Sequence, residues 1–294
     1  MSLLSLHIRS FLFAPGDSER KMEKATASAA DIILIDLEDS VTEGEKPKAR
    51  EMVLAFLKAN ATQRHRLWVR INPLQGPFAL ADLAAIMPGA PGGIMLPKSR
   101  GRGDAELLHH YLTAFEAAAG TPVGATKTFV LTTETAEGVL TTGSYAGVPR
   151  IAAMSWGAED LSADIGAATN RTETGAYGFT YELTRSLCLL GATAARVPAI
   201  ETLHVDFHDE AGLRKKATQA RREGFRGMIA IHPAQVDAIN EAFSPSAEEL
   251  AEAQEIVDLF DANPTAGTIG LRGAMLDRPH LARARALLAL APPR

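Results

Sequence analysis

Short apolar runs recur along the chain at residues 11–14, 32–35, 67–71, 93–96, 128–131, 151–154, 196–200 and 228–231. None alternates polar with apolar positions, as a strand with one wet face would. Each reads as a strand buried on both faces, the pattern of a parallel sheet covered by helices. The stretches between them carry helical spacing and stop signals: 18–30 after a Pro-Gly turn, 46–60, 105–119 closed by Gly120, 209–223 closed by Gly224, and 234–243 opened by Pro233. Ser246-Ala-Glu-Glu249 is a capping-box pattern ahead of a further helix. Residues 263–270, rich in turn formers, read as a flexible linker, and 279–290 as a last helix.

Eight such runs alternating with helices predict an α/β fold of the (β/α)8 TIM-barrel type. An open doubly wound sheet is the alternative that periodicity does not separate from it. The barrel is expected over 1–245. Residues 246–294 are expected to form a C-terminal helical extension, surplus to a barrel and so free to cap, cover or exchange with something.

Composition narrows the function classes. The 294 residues fit one barrel, which reaches about 250 residues as a single unit. A net charge of −5 gives no electrostatic case for nucleic acid as a partner. No run of about 18 uninterrupted apolar residues exists, so no membrane span is expected. The single cysteine, Cys188, excludes an internal disulfide, and residues 1–9 lack the pattern of a secretory signal; a cytoplasmic protein is expected.

Polar residues gather just past the strand runs. Asp36, Glu38 and Asp39 follow the second, Arg70 and Asn72 end the third, and Lys98, Glu134, Glu159 with Asp160, and His232 follow later ones. In a barrel these positions meet at one mouth, where barrel enzymes keep their sites. Several carboxylates at one mouth repel one another unless a cation joins them. The available ligands are all oxygen, so Mg²⁺ fits best. Glu134 and Asp160 are expected as direct ligands, Glu134 also touching substrate. Asp36, Glu38 and Asp39 are expected behind them, Glu38 and Asp39 as holders of metal-bound water. Asp160 has a competing reading as a helix N-cap. Arg70 is a permanent cation suited to a carboxylate or enolate oxygen, with a structural ion pair to Asp36 or Glu38 as the other reading. Phe13, Arg20 and Lys24 are candidate substrate contacts at the first run and its helix. Arg20 and Lys24 share a helix face that suits coenzyme A phosphates or simply solvent. A Schiff-base role for Lys98 is disfavoured, and His232 reads equally as a hydrogen-bonder behind the site or as a structural histidine.

The chain resembles the citrate lyase β-subunit-like proteins of the wider HpcH/HpaI aldolase/citrate lyase group. The resemblance rests on Arg9-Ser-Phe-Leu-Phe-Ala-Pro-Gly16, Asp36-Leu-Glu-Asp-Ser-Val41, Val69-Arg-Ile-Asn72, Leu96-Pro-Lys98, Glu134-Thr-Ala-Glu-Gly138, Gly157-Ala-Glu-Asp-Leu161, Asp206-Phe-His-Asp209 and Ile231-His-Pro-Ala-Gln235, in that order over about residues 9–245. It implies a barrel with Mg²⁺ on Glu134 and Asp160, substrate on Arg70, and a homotrimer or hexamer. Stand-alone members of the family cleave or form short 3-hydroxyacyl-CoA thioesters, giving a 2-oxo acid and acetyl-CoA. They carry a C-terminal lid with a Gly-x-Met-Ile/Leu-Asp-x-Pro pattern that reaches a neighbouring subunit's site. Gly273-Ala-Met-Leu-Asp277-Arg-Pro279 matches it, which implies Asp277 as an acid/base residue supplied in trans. Two departures stand out: Met228 where the family usually has Lys, and Glu201 where Asp is commoner.

Overall fold

The structure is a computed structural model and describes residues 8–290; the expectations that fall on 1–7 and 291–294 lie outside it. Strands β1 (Ser10–Pro15), β2 (Ile32–Asp36), β3 (Leu67–Arg70), β4 (Gly93–Leu96), β5 (Lys127–Leu131), β6 (Ile151–Ser155), β7 (Ala199–Glu201) and β8 (Gly227–Ala230) close in chain order into one parallel barrel. The open-sheet alternative is thereby excluded. β7 starts later than its apolar run suggested. Arg196 adopts left-handed backbone, φ 58°, and Pro198 has no N–H to give a ladder.

The helices among the described residues are α1 (Glu19–Thr26), α2 (Lys46–Ala59), α3 (Ala79–Ile86), α4 (Arg102–Ala119), α5 (Ala136–Thr141), α6 (Glu159–Asp164), α7 (Phe179–Ala194), α8 (Glu210–Glu223), α9 (Val236–Phe243), α10 (Ala247–Ala262) and α11 (Arg278–Leu288). Helices α3, α5, α6 and α7 go beyond the sequence expectation. α7 has no clean apolar stripe, because Phe179, Leu183 and Leu190 face solvent while Tyr181 and Cys188 face the core.

Strand parity builds two apolar layers and positions the mouth. Phe11, Ile32, Leu34, Trp68, Met95 and Phe129 fill the barrel interior. Leu12, Ile33, Ile35 and Val69, one residue out of phase, pack against the helices. Continuing the inward phase by two residues brings Phe13 after Phe11, Asp36 after Leu34, and Arg70 after Trp68. Asp36 and Arg70 are direct register partners on β2 and β3. Met228 belongs to the outer layer and is fully buried, so this departure from the family pattern does not touch the mouth.

The extension has a small core of Phe260, Leu276 and Leu281 between α10, α11 and a hairpin. That hairpin, β9 (Thr268–Leu271) and β10 (Ala274–Asp277), replaces the tail of the expected linker. Arg272 and Gly273 at its turn both have positive φ, the requirement of a tight two-residue loop. The end of α11 lines a cavity of about 420 Å³ together with Ile8, Phe11, Pro198 and Arg226, all at the N-terminal end of the barrel. The extension therefore sits at the end opposite the mouth and does not cover its own site. Among the described residues no helix is long and apolar enough to cross a membrane.

Candidate functional site

At the C-terminal ends of the strands a cavity of about 470 Å³ opens, lined by Phe13, Asp36, Arg70, Glu134, Trp156 and Asp160 among others. The expected residues of five different βα units thus do converge. Arg70 is held rigidly. Its Nε and Nη2 donate to Asp36 Oδ1 (2.7 Å) and Oδ2 (2.8 Å), and its guanidinium lies 4.7 Å from the Phe13 ring centre. Nη1 lies 2.9 Å from Glu38 Oε2 and 3.5 Å from Asp39 Oδ2. Burial would favour a neutral Asp36, but Arg70 and the backbone N–H groups of Glu38 and Ser40 win, and its pKa falls below the usual carboxylate range. Both Asp36 oxygens are therefore spent on Arg70 and the loop, so Asp36 orients Arg70 and leaves little capacity for metal-bound water. Lys46 fixes the same loop from behind, its ammonium donating to the carbonyls of Leu37 and Glu38 (2.9 Å each). Asn72 is likewise structural, tied to Leu37 O and Asp82.

Glu134 is the most perturbed acid at the mouth. Burial first, then the charges of Asp160 and Glu38, push its pKa up to about 8. Gly157 makes its position possible, since a Cβ there would meet Glu134 Cγ at 2.9 Å. Asp160 stands in the first turn of α6 and makes no side-chain cap, so the N-cap reading is not what the structure shows. Glu38 is also pushed upward, by burial against the opposing pull of Arg70 and Lys98.

Lys98 ties these acids together. Its backbone N–H donates to Glu134 Oε2 (2.7 Å), and its ammonium reaches Glu38 Oε1 (2.7 Å) and Asp160 Oδ1 (3.0 Å). Left-handed backbone at φ 49°, a strain on the order of 1–3 kcal/mol, lets both ends of the residue point at the site. Burial opposes its charge, but Glu38 and Asp160 raise its pKa above the ordinary lysine range. A lysine held protonated in this way is no Schiff-base nucleophile.

The donor set suits a hard divalent ion. Among the described residues no three His, Cys, Asp or Glu side chains form a ready-made cage. Mg²⁺ does not need one, since it binds through one or two carboxylates and completes its shell with water and substrate oxygens. A carboxyl driven to about 8 by burial and then by neighbouring acids is the electrostatic mark of a place that gains from such a cation.

The model of the HpcH/HpaI aldolase/citrate lyase family matches residues 9–233. The chain belongs to that family. It is 33% identical to a citrate lyase subunit beta-like protein of Mycobacterium tuberculosis over 278 residues, covering 95% of this chain and 93% of the relative. It is 32% identical to a (3S)-malyl-CoA thioesterase of Cereibacter sphaeroides, covering 96% and 94%. Among solved structures it is similar to protein CitE from Mycobacterium tuberculosis in complex with magnesium, acetoacetate and coenzyme A, with a TM-score of 0.81, 31% identity, and coverage of 97% and 98%.

The remaining candidates stand outside the mouth of this family member. Arg20 and Lys24 are exposed on α1 and do not line the cavity. His232 is structural: its Nδ1 accepts from Ala234 N (3.2 Å) and its ring stacks on Phe207. Asp277 caps α11, with its carboxylate against the His280 ring, which holds its pKa below the ordinary range. It does not line its own mouth. Glu201 acts at one remove, accepting from Trp156 Nε1 (2.8 Å) and pairing with Arg185. Sequence reasoning passed over Trp156 and Tyr177, which form one wall of the cavity; both sit in loops without periodicity.

Proposed function

We propose that the protein is a Mg²⁺-dependent carbon–carbon lyase that cleaves or forms a short 3-hydroxyacyl-CoA such as citramalyl-, malyl- or citryl-CoA, with a 2-oxo acid and acetyl-CoA as the other side of the reaction. The observation that carries this reading is the buried carboxyl of Glu134, its pKa raised to about 8, beside Asp160 and Arg70. The family relatives that bind magnesium and coenzyme A support it. When bound at Glu134 and Asp160, Mg²⁺ supplies Lewis-acid polarisation of the oxygens of the 2-oxo acid half. Arg70 stabilises negative charge that develops at the reacting centre through Nη1, the end not tied to Asp36 and paired with Glu38. Phe13 places its ring beneath that guanidinium. Asp277 of another copy exchanges the proton at the acetyl carbon, and His280 holds its carboxylate in place.

Self-association is part of this reading. Phe179, Leu183 and Leu190 on α7, with Leu140 on α5, leave a large apolar face exposed, which suits a trimer or hexamer. The division into a barrel over 1–245 and an exchanging extension from 246 belongs to the same proposal.

The deciding experiment incubates the protein and Mg²⁺ with acetyl-CoA and, separately, glyoxylate, pyruvate or oxaloacetate, and reads product masses. A condensed CoA thioester is expected from at least one acid. Release of free CoA in step with condensation would add thioester hydrolysis. Turnover of free acids alone would replace the reading by a CoA-independent aldolase, and activity only with a co-purified acyl-carrier protein would replace it by a citrate lyase β subunit.

Lys24→Glu separates a coenzyme A contact from a solvent-facing lysine. It is expected to raise KM for CoA thioesters about tenfold, the loss of one charge-assisted phosphate contact, with kcat little changed. An unchanged KM would return Lys24 to solvent.

A further inference from the structure

A single aromatic ring stands between the mouth cavity and a neighbouring one. Tyr177 lines the mouth and also a second cavity of about 490 Å³ beside α7, α8 and the segment after β7. On the mouth side the ring meets Trp156 edge-on, with centroids 5.1 Å apart. On the far side the Arg171 guanidinium lies 3.6 Å from the ring centre and the Lys216 ammonium 5.5 Å. The loop that carries the ring is pinned by a bridge between Arg171 and Tyr177 and by Gly178 N donating to Asn170 O. The segment after β7 completes the wall: Leu203 faces the mouth and the next residue, His204, faces the second cavity.

The far cavity is rich in cations without carboxylate partners. Lys216 donates to the carbonyl of Leu203 (2.8 Å), and Arg171 only weakly to that of Gly175 (3.4 Å). Lys215 lines the same space. Burial pushes the Lys216 ammonium down to about 8, a cost that an adjacent anion would relieve. Glu182 and Asp206 also line the cavity, and Arg185 there is already tied to Glu201 and Glu223.

We infer that Tyr177 is a specificity-determining partition: it limits the 2-oxo acid half of the substrate to short chains, and the cationic cavity behind it takes a terminal carboxylate once the ring is removed. The inference rests on the lyase reading for the identity of the acid but not for its binding. The test measures binding of pyruvate and of 2-oxoglutarate by calorimetry with Mg²⁺, and kcat/KM for each acid with acetyl-CoA, in wild type, Tyr177→Phe, Tyr177→Leu and Tyr177→Ala. Tyr177→Ala is expected to raise the preference for 2-oxoglutarate over pyruvate about tenfold, Tyr177→Leu by less, and Tyr177→Phe not at all. Adding Lys216→Met to Tyr177→Ala should remove most of the gain. Equal effects on both acids, or a gain indifferent to Lys216, would overturn the partition. If the binding preference shifts as expected while no variant forms a thioester product, the lyase reading fails and the partition stands. If wild type condenses pyruvate and the preference does not move, the partition alone fails. Absence of binding by either acid to every variant overturns both.

Discussion

Glu134→Ala is expected to lower kcat/KM by about a thousandfold or more, and added Mg²⁺ should not restore it. Asp160→Ala should behave alike, because two carboxylates are the smallest protein set that holds this ion and the buried acids beside them are already engaged. Asp36 is locked to Arg70, and Glu38 is engaged by Lys98 and Arg70. Both variants should also lose the response of activity to chelator; a chelator response unchanged from wild type would remove these residues from the metal site.

The same carboxyl fixes a pH signature. Its folded pKa, about 8, lies above the ordinary value of 4.5. The protonated form is therefore the one the metal-free fold prefers, and stability is lost as pH rises from about 4.5 through 8. Mg²⁺ held by Glu134 would bind its ionised form, so the apparent affinity should rise with pH and level off above about 8. The rise in melting temperature on adding Mg²⁺ should accordingly be larger at pH 8.5 than at pH 6. Equal shifts at the two values would mean that Glu134 is not the group that titrates.

The barrel was readable because each strand is buried on both faces and leaves an unbroken apolar run. Arg70, Glu134 and Asp160 were readable at the mouth because strand ends in a barrel share one plane, whatever lies between them in sequence. The roles of their neighbours were not readable. An ion pair of Arg70 to Asp36 or Glu38 was open as an alternative, but only the register pairing shows that Arg70 takes both Asp36 oxygens out of play. Lys98 gave a signal in its place after β4, yet its grip on three acids depends on a left-handed backbone that sequence does not announce. Trp156 and Tyr177 come together from different loops, across a distance that no local pattern spans. The β9–β10 hairpin went unseen because Arg-Gly is a weaker turn signal than Asn-Gly. Asp277 owes its candidacy to the family motif alone.

Asp277→Ala is expected to reduce turnover by a factor of roughly 10²–10⁴, the usual worth of a positioned proton-transfer group, while Mg²⁺ binding is retained. The more demanding expectation is complementation. In its own chain Asp277 caps α11 in an extension packed at the end of the barrel opposite the mouth, so it can serve only a neighbour's site. Under the proposed trans arrangement, a site would work when its own barrel carries Glu134 and the neighbouring extension carries Asp277. Co-assembly of equal amounts of Glu134→Ala and Asp277→Ala chains into one ring makes that combination at roughly one site in four, from two independent halves. Two inactive parents should thus yield oligomers with roughly a quarter of wild-type activity. Mass analysis of the assemblies establishes that the chains have mixed. Mixed assemblies as inactive as their parents would show that Asp277 is not supplied in trans, and the extension would then be a structural cap on the closed end of the barrel.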